Sequence, residues 1–159
     1  MKYICPLLVV SDINRSRQFY EDVLDQKVKL DFGENITFEG DFALHLQSHY
    51  SELIQKKPII MGGHDFELYF EHDDIDGFFQ KLKEFNVSFV HKIHEQPWKQ
   101  RVIRFYDPDN HIIEVGESLE YLAYRLKSTD WTLEQISNAT GMPVEFISNA
   151  IETYQKKSK

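Results

Sequence analysis

The sequence predicts an α+β fold in which two βαβββ modules pair into a curled mixed β-sheet cleft, followed by a C-terminal helical extension. Three observations carry this reading. A strand–helix–three-strand order occurs twice, over about residues 1–48 and 64–117, and an internal repeat constrains a fold more than any single motif. The stretch Gln100 to Gly116 reads as a hairpin, because two β-rich runs flank Asp107-Pro108-Asp109-Asn110, where proline presets φ and Asn tolerates a left-handed backbone. Beyond Gly116 the apolar period changes from strand-like to helical over residues 118–159.

Each element has a local cause. Tyr3 to Val10 is apolar on both faces, as a buried central strand is. Ser11 or Asp12 caps a helix in which Ile13, Phe19, Tyr20, Val23 and Leu24 recur at helical spacing. Strands follow over about 26–30, 36–39 and 42–47, separated by breaker-rich turns. Residues 49–64 form a connector with one helical turn over 51–56. Phe66 to Glu71 alternates as a strand, and Asp73 or Asp74 caps a helix whose stripe is Ile75, Phe78, Phe79, Leu82 and Phe85. Val87 to Lys92 and the two hairpin arms complete the second module. In the extension, Leu119 to Lys127 is amphipathic, Thr132 and Gln135 have capping-box spacing, and Gly141 and Pro143 separate the last two helices. Gln155 to Lys159 reads as a basic, frayed end.

Composition bounds the function. The 159 residues are 42% hydrophobic and 14% aromatic, enough for a sizeable core. A net charge of −8 opposes attraction to nucleic acid or anionic membranes. A single cysteine, Cys5, cannot form an internal disulfide, and no apolar run is long enough to span a bilayer, so a cytoplasmic protein is expected. Ile136 to Gly141 with Ile147 and Ile151 has helix-turn-helix spacing, but the candidate reading helix offers no Arg or Lys before Lys156. That favours a packing or dimerisation role over DNA binding. The expected partners are a small-molecule substrate or ligand and a second copy of the chain, with no nucleic acid and no membrane.

Alternation along the strands assigns the polar residues to faces. Phe42, Leu44 and Leu46, then Phe66, Leu68 and Phe70, then Ile113 and Val115 face the helices. The inner faces carry Ala43, His45 and Gln47, then Glu67, Tyr69 and Glu71, then Ile112, Glu114 and Gly116, with Cys5 on the first strand. Two carboxylates in one low-dielectric site need a proton, an Arg or a cation between them. His45, Glu67 and Glu114 are a plausible ligand set for Zn, Ni, Mn or Fe(II), and a metal-free polar pocket is the alternative. Trp98, Gln100, Arg101 and Arg104, with Tyr69, supply an aromatic and donor set suited to a planar or anionic ligand. His91 and His94 are too far apart on a regular strand to share a face, and His72 and His111 read as turn residues.

These residues resemble the vicinal oxygen chelate superfamily of glyoxalase I, the bleomycin and fosfomycin resistance proteins and the extradiol dioxygenases. The likeness lies in the paired modules, in Pro6-Leu7-Leu8-Val9-Val10-Ser11-Asp12 with Phe19-Tyr20, and in Phe105 to Glu114; it covers about residues 3–117. It implies metal ligands on the first and last strands of each module, which map to Cys5, His45, Glu67 and Glu114. Only Glu114 has the family's usual residue type, and Asp25 and Asn110 stand where the family often has Gly. Similar members also carry a Trp-x-Gln-Arg run beside the cleft. The implied function is a glyoxalase- or dioxygenase-like enzyme using a divalent metal, with isomerase or lyase chemistry in which Glu67 or Glu114 moves a proton. The alternative is a metal-free small-molecule (drug) binding protein of the bleomycin-resistance type.

Overall fold

The computed structural model describes residues 1–157. The first module holds β1 (Leu7–Val10), α1 (Ile13–Asp22), β2 (Val28–Asp31), β3 (Asn35–Phe38) and β4 (Ala43–Leu46), with α2 (Gln47–Leu53) following. The second holds β5 (Glu67–Glu71), α3 (Ile75–Glu84), β6 (Phe89–Glu95), β7 (Arg101–Tyr106) and β8 (Ile112–Gly116). The extension is α4 (Leu119–Lys127), α5 (Leu133–Thr140) and α6 (Val144–Lys157). The basic end thus continues α6 as far as Lys157; Ser158 and Lys159 lie outside the described residues.

Each βαβββ repeat makes one four-stranded sheet, ordered β1-β4-β3-β2 and β5-β8-β7-β6. In the first, β1 runs parallel to β4 with Val9 opposite His45, and β3 is antiparallel to β4 with Asn35 opposite His45. The chain divides into two compact units: residues 1–67, 85–88 and 106–112, and residues 68–84, 89–105 and 113 onward.

In the first unit α1 covers the sheet because its buried stripe meets the strands' buried face. Asp12 caps α1 by accepting from the backbone N–H of Asn14 and Arg15, each at 3.0 Å. Tyr20 is fully buried and packs on Phe38 and Phe42, whose rings stack 4.7 Å apart. The Asp107-Pro108-Asp109-Asn110 turn belongs to this unit, and its carboxylates hold α1. Asp109 accepts from the Ser11 N–H (3.2 Å) and hydroxyl (2.5 Å), the Arg15 guanidinium (3.1 Å) and the Ser16 hydroxyl (3.2 Å). Asp107 accepts from the Tyr20 hydroxyl (3.0 Å), the N–H of Asp109 (2.9 Å) and His111 (2.8 Å), and the His111 ring (2.8 Å). Both acids are buried, so these bonds form where water competes least. Asn110 takes φ +67°, the left-handed conformation anticipated for the fourth turn position.

In the second unit Ile75, Phe78 and Leu82 of α3 and Ile103, Phe105, Ile113 and Val115 of the sheet are all buried, with Phe78 and Phe105 ring centroids 6.1 Å apart. Of the two proposed caps, Asp74 accepts from the Gly77 N–H (2.9 Å), while Asp73 accepts from the N–H and hydroxyl of Ser118, which itself caps α4. The extension has its own core of Leu122, Leu126, Ile136, Met142 and Ile147, and the Thr132/Gln135 capping box is formed. Gly141 closes α5 at φ +76°, where any side chain is strained. No helix among the described residues is long and apolar enough to cross a membrane.

Three expectations are corrected. The first strand starts at Leu7, not Tyr3, and lies at an edge of its sheet, because Pro6 has no N–H to give the ladder; its carbonyl accepts from Ala43 instead. The connector's helix is α2, beginning as soon as β4 ends and stopping before Gln55 and Lys56, both at φ +56°. Strand β6 runs to Glu95, and the irregular register between His91 and His94 brings their rings to 5.7 Å, which a regular strand forbids.

Candidate ligand-binding site

The inner face of the second sheet is built around a residue with no side chain. A Cβ at Gly116 on β8 would meet the Gln100 amide nitrogen and a Val102 methyl, each at 3.1 Å, and the Tyr69 ring at 3.3 Å. The bare backbone lets these groups converge. Gln100 sits just ahead of β7, after a tight turn in which Lys99 takes φ +73° and its N–H donates to the Gln96 carbonyl. Its carboxamide is the hub: the oxygen accepts from the Trp98 indole N–H (2.9 Å), and the nitrogen donates to the Tyr69 hydroxyl (2.9 Å) and the Glu117 carbonyl (2.7 Å). Gln100 is 5% exposed, whereas Tyr69 and Trp98 are 47% and 42% exposed. A buried amide therefore fixes two aromatic rings that remain open to a ligand.

The Tyr69 hydroxyl also donates to Glu71 at 3.3 Å. Burial, then the Glu71 charge, pushes the Tyr69 phenol up to about 12. Burial also raises the Glu71 carboxyl, reinforced by Glu120 and Asp73 and opposed by the Tyr69 hydrogen bond. Farther along the face, Glu114 is 6% exposed, and its carboxylate lies directly against the Arg104 guanidinium of β7. Arg104 reaches the His91 ring at 3.3 Å. Arg101 points to the opposite face, where it grips Asp76 at 2.9 and 3.0 Å and lies 3.9 Å from Glu117. The fully buried Glu117 accepts from the Arg101 N–H (3.1 Å) and the Arg125 guanidinium (2.8 Å), tying α4 to β7.

Other anticipated residues sit in the first unit. His45 on β4 is buried; its Nδ1 faces the Asn35 amide at 3.3 Å and its Nε2 the His49 Nδ1 at 3.0 Å. Burial lowers its pKa, with His49 adding to the effect. Glu67 is exposed beside a cavity of about 330 Å³ lined by His64, Asp65, Phe66 and Ile112. Cys5 is partly exposed and precedes β1.

These contacts bear on the metal that the resemblance implies. Glu114 already has a protein cation as its counter-charge, and His45 spends Nε2 on His49. Among the described residues no three His, Cys, Asp or Glu side chains gather closely enough to hold an ion. The expected set is divided between the two units, His45 and Glu67 in the first and Glu114 in the second.

The structure therefore brings Tyr69, Trp98 and Gln100 together, pairs Arg104 with Glu114, and turns Arg101 away. Sequence reasoning missed His49, although four residues after His45 across a strand–helix junction is a workable spacing. It places Glu71 on the inner face with Tyr69 but gives it no role, and gives none to His91, whose partner Arg104 lies opposite it on the neighbouring strand.

Comparison with known proteins agrees with this architecture. Residues 3–120 match the glyoxalase-like domain family. The chain is 27% identical over 128 residues to the uncharacterized protein YraH of Bacillus subtilis, covering 75% of this chain and all of that one. A crystal structure of a protein of unknown function from Agrobacterium tumefaciens is 45% identical with TM-score 0.69, covering 75% of this chain and 95% of that one. A glyoxalase/bleomycin resistance protein/dioxygenase superfamily member from Sphaerobacter thermophilus is 27% identical with TM-score 0.56, covering 74% and 98%. With the repeated βαβββ sheets, these matches make the chain a member of the glyoxalase-like domain family, within the vicinal oxygen chelate superfamily.

Proposed function

We propose that this protein is a metal-independent binding protein for a planar small molecule, held on the inner face of the second sheet. Family membership supports a small-molecule enzyme or binding protein. The observation that carries the narrower reading is the Trp98–Gln100–Tyr69 chain, in which a buried carboxamide presents two half-exposed aromatic rings. Such rings offer stacking area at little entropic cost, because their orientation is already fixed. The Arg104–Glu114 pair supports binding over metal-dependent lyase or isomerase chemistry, which the sequence ranks first, because the acid in the family's ligand position has an internal counter-ion. Arg104, on the same strand face as Val102, is the group that would meet a ligand's oxygen edge.

A thermal-shift screen of planar aromatic compounds, run with and without a chelator, tests this. A ligand at a hundred times its Kd stabilises by about 2.7 kcal/mol, which raises Tm by about 5–11 °C for a chain of this size. The same shift with the chelator present is expected. Stabilisation by Ni, Zn, Mn or Fe(II) alone, at one ion per chain, would overturn the proposal.

A further inference from the structure

The first unit holds a second cavity, of about 440 Å³. Its polar lining is Ser11, Gln47, Ser48, Ser51, Lys56 and Lys57. No Asp or Glu lines it, although the chain carries a net charge of −8. The side chains of Gln47, Ser48, Ser51 and Lys57 have no hydrogen-bond or ion-pair partner among the described residues. Lys56 has one surface partner, Glu52, at 3.5 Å, with both side chains largely exposed. Ser11 is committed to Asp109, and its hydroxyl also accepts from the half-exposed Arg15 guanidinium. The acid behind that wall, Asp109, is buried and satisfied by Ser11, Arg15 and Ser16.

Two ammonium groups, two unengaged hydroxyls and a carboxamide around one cavity make a surface rich in donors and without a negative charge. Lysine binds phosphate as a point charge, and hydroxyl and amide donors complete the oxygen contacts. The volume lies within the range of small-ligand sites, so it admits an organic body as well as the anion. We propose that this cavity binds a small phosphate monoester, with Lys56 and Lys57 supplying the charge and Ser48, Ser51 and Gln47 the oriented hydrogen bonds. Its lining residues all belong to the first unit.

The test is an NMR titration of the full-length protein with inorganic phosphate, glucose 6-phosphate and glucose, each at constant ionic strength set with chloride. Saturable shifts centred on residues 47–57 are expected for both phosphates, tighter for the sugar phosphate, with none for glucose. The double variant K56Q/K57Q, on exposed positions, is expected to weaken sugar phosphate binding by about tenfold, the effect of losing two solvent-exposed charges. S48A/S51A, which keeps both charges, is expected to weaken it without changing its salt dependence. Three results would overturn the proposal: no saturable shift with either phosphate, equal binding of glucose, or unchanged affinity in K56Q/K57Q with its native spectrum retained.

Discussion

Asp107 offers the sharpest test of how the hairpin turn supports the fold. Its Oδ1 accepts two backbone N–H groups and its Oδ2 accepts the Tyr20 hydroxyl and the His111 ring, all between 2.8 and 3.0 Å. Asp107→Ala strips the partner from a hydroxyl and two N–H groups at once. Each buried donor left alone costs about 1–3 kcal/mol, so with partial relaxation the loss is about 4 kcal/mol, at the upper end of single-substitution effects. Asp107→Asn keeps an oxygen for the two N–H groups and exchanges the charged oxygen for an amide, so about 2 kcal/mol is expected. Tyr20→Phe removes only the hydroxyl and is expected to cost about 1 kcal/mol. Urea denaturation measures all three, and a Tyr20/Asp107 cycle isolates the coupling. If Asp107→Asn costs under about 0.5 kcal/mol, a surface-like value, the carboxylate is not holding α1 and the reasoning fails. The pH dependence has a definite sign. Burial alone would lower the His111 pKa, but the Asp107 hydrogen bond and charge outweigh it and the pKa is raised. The stabilisation is therefore fully present below the unfolded value of about 6.5 and is lost as pH rises through the folded value. His111→Gln is expected to flatten that part of the Tm–pH curve.

The remaining predictions concern strain, charge and the ligand face. Lys99 and Asn110 both hold left-handed backbones, so Lys99→Gly and Asn110→Gly are each expected to raise stability by about 0.5–1 kcal/mol, and Asn110→Val to lower it, by chemical denaturation. Glu117→Ala leaves the Arg125 guanidinium without its buried acid; a loss of about 3–5 kcal/mol is expected, read in the same assay. Gln100→Ala releases Tyr69 and Trp98, so ligand affinity should drop at least about tenfold, with altered Trp fluorescence and about 1–2 kcal/mol of lost stability.

The repeat, the order of elements and the caps at Asp12, Ser118 and Thr132 follow from signals that act over a few residues, where one sequence suffices. So do the strand faces: alternation correctly placed Tyr69 beside Gly116 and set Ile113 and Val115 in the core. What the sequence conceals is which partner a polar side chain finds from a distant strand. Arg104 and Glu114 read as separate members of a ligand and a metal set, yet pairing of β7 with β8 joins them. Arg101 read as a ligand contact, and its odd position on β7 sends it to the opposite face. Cys5 read as a strand position, but Pro6 delays the ladder by the residue that matters. His49 was hidden because a helix begins where a loop was expected.

The carboxylates of Asp107 and Asp109 close onto the first helix and the residues leading into it, Asp109 binding Ser11 from 98 residues later in the chain. At a synthesis rate of about 5–20 residues per second, the first helix waits about 5–20 s before its acceptors leave the ribosome. Until then the Tyr20 hydroxyl has no Asp107 to meet, and the nascent first module must pass that interval with part of its interior unfinished. A protein so stitched should fold slowly for its size, and truncations ending before the turn should be held by chaperones rather than released folded.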